Sequence, residues 1–149
     1  MSCTYIQFPK TYALDECYYA LIVRFLRYEI LTNSHQYAPI MGLKNFAADV
    51  EKKRWYAVSS GCFGFEYYCG GKDTYPQFVK CLYQVRELLL GFGDDIPPEW
   101  KEKLKVVPED DVSIHYPVKN VIYWLDCLRQ AVDEYKPNIG VTTFSSAPE

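Results

Sequence analysis

The stretch SSGCFGFEYYCGG, Ser59 to Gly71, places four glycines, two cysteines and four aromatics within thirteen residues. Cysteines at that density raise three chemistries: metal ligation, thiolate nucleophilicity and, through the glycines, a phosphate cradle. The spacing argues against each. Cys62 and Cys69 stand seven residues apart, not in the C-x-x-C pairing of zinc or redox sites. Zinc needs further ligands, and the two histidines, His35 and His115, are far apart in the chain. The glycines are followed by no G-K-[ST], the sequel that holds a nucleotide phosphate in a P-loop. A thiolate at Cys62 needs a positive neighbour, whereas Glu66 is the only charge in the stretch. Cys62 with His35 or His115 as base stands as the enzyme alternative, since such partners need not be near in sequence. The structural reading is stronger: glycines turn the backbone while Phe63, Phe65 and Tyr67 alternate as in a short strand. No metal and no cofactor is expected.

Carboxylates are the next candidates. Glu109, Asp110 and Asp111 are consecutive and lack the spaced D-x-D-x-D-G pattern of a calcium loop. Asp15-Glu16, Glu29, Asp126 and Asp133-Glu134 read as ordinary helix charges. Tyr18, Tyr19 and Tyr28 read as core and rim packing rather than as a platform for nucleobases.

These residues must be held by helices. TYIQF, residues 4 to 8, alternates and suits one short strand. Thr11 then reads as the cap of a long helix from about Tyr12 to Leu31. Its polar positions Glu16, Arg24 and Arg27 form one narrow stripe, which marks a buried, central helix. Asn33 to Pro39 breaks it. A second helix is predicted from Leu43 to about Val58, with Leu43, Phe46, Ala47, Val50 and Ala57 inward. A third follows Asp73-Thr74, with Pro76 in its first turn and Phe78, Leu82, Val85, Leu89 and Phe92 on one face. Gly91 or Gly93 ends it. A short helix is predicted over Pro97 to about Lys105, and Val106 to His115 is a polar connection. The last helix runs from Pro117 to about Tyr135, with Val118, Val121, Ile122, Leu125, Leu128 and Val132 inward, and Pro137 stops it. The fold class is therefore mainly α: an irregular bundle of four to five helices with room for a minor short β element. Residues 1–136 form a single globular α-helical domain and 137–149 a C-terminal tail.

Composition then excludes whole classes of function. The chain has 149 residues, enough for a substantial core, and 49% of them are hydrophobic. Its formal charge is −3, without the basic footprint of a nucleic-acid binder. CYYALIVRFLRYEIL, the most apolar run, carries Arg24 and Arg27 at its centre and falls short of a membrane span. MSCTYIQFPKTY has no basic region ahead of an apolar run, so a cytoplasmic location with all six cysteines reduced is expected.

What remains is surface chemistry. Acidic groups and aromatics coincide along one connection, at Asp94, Asp95, Glu99, Trp100, Glu109, Asp110, Asp111 and Tyr116. Charge surrounding aromatic anchors suits a protein interface. The chain is accordingly read as a soluble protein-binding inhibitor whose partner has a basic surface, and not as an enzyme. Bacterial immunity proteins, which neutralise toxins delivered between competing cells, share this general profile, a likeness of type that rests on no motif. A nuclease toxin would present a basic active-site cleft for such a face to occlude. A subunit of a larger complex is the third reading.

Overall fold

A computed structural model of the chain describes residues 3–7, 11–37, 39–51, 71–104 and 114–135. It opens on two strands, β1 (Cys3–Gln7) and β2 (Thr11–Asp15), followed by α1 (Glu16–Thr32), α2 (Ser34–Tyr37) and α3 (Met41–Glu51). Next come α4 (Tyr75–Leu90), α5 (Trp100–Leu104) and α6 (Val118–Tyr135). The predicted mainly-α bundle is observed.

The start of the chain departs from expectation. Thr11 does not cap a helix: β2 pairs antiparallel with β1, from Cys3 opposite Asp15 to Gln7 opposite Thr11, and α1 begins only at Glu16. A ladder satisfies the same backbone groups as an extra helical turn. A short apolar run such as TYAL is compatible with either, so pairing decides.

Helix α1 is the central element, in contact with α3, α4, α5 and α6. Every residue from Tyr19 to Leu26 is buried, Arg24 of the predicted polar stripe included. At the edge of that stripe the Arg27 guanidinium lies 3.2 Å from Glu51 of α3. On α3, Leu43, Phe46, Ala47 and Val50 face inward as their spacing predicts. The predicted remainder of that helix, like the cysteine- and glycine-rich stretch up to Gly70, lies outside the described residues.

Helices α4 and α6 form an antiparallel pair, joined on their outer side by Arg86 and Asp126 at 2.9 Å. Pro76 stands in the first turn of α4, where its missing N–H is not needed. The buried Phe78, Leu82, Val85 and Leu89 reproduce the predicted face. Gly91 caps the end through its N–H to the carbonyls of Glu87 and Leu88, and Gly93 makes the turn that follows with φ of 84°. On α6, Val121, Leu125, Leu128 and Val132 are buried, whereas Ile122 is only partly so. The predicted short helix contracts to α5, and turns place the N–H groups of Trp100 and Lys101 on the carbonyls of Pro97 and Pro98.

Candidate functional site

The end of α4 and the start of α6 bring two parts of the acidic connection together. After the turn at Gly93 and Asp94, Asp95 pairs with Pro117 in an isolated antiparallel bridge. The Val118 N–H donates to the Asp94 carbonyl at 3.0 Å and locks the crossing. Pro117 has no N–H to offer, which suits a short contact of this kind but not a continuing ladder. Two residues remote in sequence, Asp95 and Tyr116, thereby become neighbours on one surface.

Two open clefts share that crossing. The first, of about 550 Å³, is lined by Leu90, Gly93, Asp94, Asp95, Pro117, Val118, Lys119 and Ile122. The second, of about 560 Å³, is lined by Asp95, Ile96, Pro98, Ile114, His115, Tyr116 and Pro117. Asp95 and Pro117 belong to both. Each cleft thus combines apolar walls with at least one exposed carboxylate, an arrangement suited to a long side chain with a cationic end.

Tyr116 belongs to an aromatic cluster. Its ring lies 4.8 Å from that of Tyr18, which is stacked 6.2 Å from Trp124. The Asn120 amide donates to the Tyr18 hydroxyl at 3.2 Å and ties α6 to this cluster. The Tyr116 N–H also donates to the Ile114 carbonyl at 2.8 Å, which tightens the entry to α6.

Of the predicted contact residues, Asp94, Asp95 and Glu99 are exposed and Tyr116 is half-buried. Trp100 differs from its expected role. It is 7% exposed and packs on Phe25, Tyr28 and Phe92, with ring centroids 4.6 to 5.7 Å apart. The indole belongs to the core because α5 docks on α1, and Lys103 covers it at 4.4 Å. Glu109, Asp110, Asp111 and Cys62 lie outside the described residues. Sequence reasoning missed Leu90, Ile122, His115 and Pro117 as lining. Leu90 carried a signal, being a leucine out of phase with the inward row Leu82, Val85 and Leu89, and it is 50% exposed.

A second polar cluster sits elsewhere. Glu29, read from sequence as an ordinary helix charge, is 9% exposed on α1. It accepts hydrogen bonds from the Asn33 amide at 2.9 Å and the Tyr37 hydroxyl at 3.2 Å. Burial raises the carboxyl's pKa, and the two donors only partly oppose this. Burial beside Cys81 and Glu29 likewise raises the Tyr37 hydroxyl. These groups fasten the turn of α2, which contains His35, back onto α1.

Among the described residues, no group of three or more His, Cys, Asp or Glu could hold a metal ion, and no helix is long and apolar enough to cross a membrane. Compared with known protein families, curated proteins and solved structures, the chain matches none.

Proposed function

We propose that this protein binds and inhibits another protein through the face formed by residues 93–99 and 114–119. The observation that carries the reading is the Asp95–Pro117 crossing, which gathers exposed carboxylates, a braced tyrosine and two apolar-walled clefts onto one side. Carboxylates on a net-negative molecule attract a basic surface and repel nucleic acid. The finer reading is an immunity protein that occludes the basic active-site cleft of a toxin, with nuclease as the toxin class whose cleft best fits such a face. Cytoplasmic residence goes with that role.

Affinity capture from the native source, with the wild type and the double variant Asp94→Lys/Asp95→Lys side by side, tests it. The wild type should retain a protein with a basic functional cleft and suppress its activity, and the double variant should do neither. Retention of the same inhibited partner by both would remove this face from the interface. If the wild type suppresses nothing that it retains, the inhibitor reading fails.

A further inference from the structure

The two clefts differ in what they can recognise. In the one beside Tyr116, Asp95 is the only carboxylate among the described lining residues, and Ile96, Pro98, Ile114 and Pro117 supply apolar walls beside His115. An anion would meet repulsion at Asp95. A purely apolar side chain would cover that carboxylate without pairing it, at a desolvation cost. A cationic side chain with an apolar stem satisfies both parts.

Tyr116 selects between the two such side chains. An aromatic face next to a carboxylate suits a guanidinium, which stacks on rings and pairs with carboxylates through two parallel N–H groups. Lysine's ammonium is a compact, strongly hydrated point charge and gains less from the ring. The lining is also set in advance. Pro98 and Pro117 have fixed φ, the Asp95–Pro117 bridge ties the walls together, and Tyr18, itself stacked on Trp124, packs against Tyr116. Little ordering is then left to oppose binding.

We propose that this cleft receives an arginine side chain of the protein partner, with its guanidinium between Tyr116 and Asp95. The assignment rests on the protein-binding reading above and names the chemistry by which the partner is recognised.

Hexa-arginine and hexalysine, peptides of equal length and charge, separate a built arginine site from general attraction to acid. Amide NMR and calorimetry on the intact chain should show hexa-arginine binding about fivefold more tightly. The shifts should centre on Asp95, Ile96 and residues 114–118. Tyr116→Phe should preserve the preference, Tyr116→Leu should abolish it, and Asp95→Asn should weaken both peptides. Circular dichroism checks that each variant folds, and should Tyr116→Leu not fold, the wild-type shift map and Tyr116→Phe decide. Equal affinities for the wild type, a preference that survives Tyr116→Leu, or shifts on another surface would overturn the assignment. A toxin-like partner that ignores Tyr116→Leu sinks the arginine site alone. An arginine preference in a protein that inhibits no partner sinks the inhibitor reading alone.

Discussion

Glu29 shows how much a single position depends on its surroundings. On an exposed helix face this residue would titrate as an ordinary carboxylate. Here burial raises its pKa above the ordinary 4.5 while Asn33 and Tyr37 donate to it. The sign of the consequence follows from linkage: the folded state holds a proton that the unfolded chain gives up more readily. Its contribution to stability is therefore complete below pH 4.5 and declines as pH rises through the folded-state value. Glu29→Gln keeps an acceptor for Tyr37 and removes the charge. The variant should gain on the wild type as pH climbs from acid to neutral, then run parallel, when urea midpoints are compared across pH. A difference independent of pH would mean that Glu29 is ionised alike in both states.

Two predictions belong to the elements. Helix α5 is short, so its placement depends on Trp100 more than on its own hydrogen bonds. Trp100→Ala should cost about 3–5 kcal/mol, the range for emptying a large aromatic site in a core. Chemical denaturation measures this, and a loss below about 1 kcal/mol would return the indole to the surface role read from sequence. Gly93 tests the turn between α4 and the acidic segment. A Cβ there meets nothing within 4 Å, so the cost of Gly93→Ala comes from its φ of +84° alone. About 1–2 kcal/mol is expected for a left-handed alanine. An unchanged denaturation midpoint would show that the turn can relax to a right-handed conformation.

At the scale of the whole molecule, charge governs encounter. The net charge of −3 is modest, and Asp94, Asp95 and Glu99 are exposed on the proposed face. Neutralising Asp94 and Asp95 to asparagine should slow association with a basic partner and flatten its dependence on salt, with dissociation changed less. Stopped-flow mixing at low and high ionic strength reads both quantities. A variant that associates as fast as the wild type at low salt would place the steering field elsewhere.

The helical bundle was legible in the sequence because its signal is local and repeated. Phe78, Leu82, Val85 and Leu89 keep helical spacing, Pro76 and Gly91 mark the ends of α4, and all of these take the predicted places. Buried α1 was equally plain, since apolar residues around most of a helix leave it nowhere to lie but the centre. Local pattern did not reach three features. TYALD became a strand because β1 lay alongside to pair with it. Trp100 entered the core because Phe25, Tyr28 and Phe92, from other parts of the chain, formed its walls. The candidate site arose where Asp95 met Pro117, a contact that depends on how α4 and α6 pack. Periodicity is a property of neighbours along the chain, so sequence determined the elements and their inner faces. Tertiary packing alone decided which strand ends paired, which aromatic was enclosed and which carboxylates came to share a cleft.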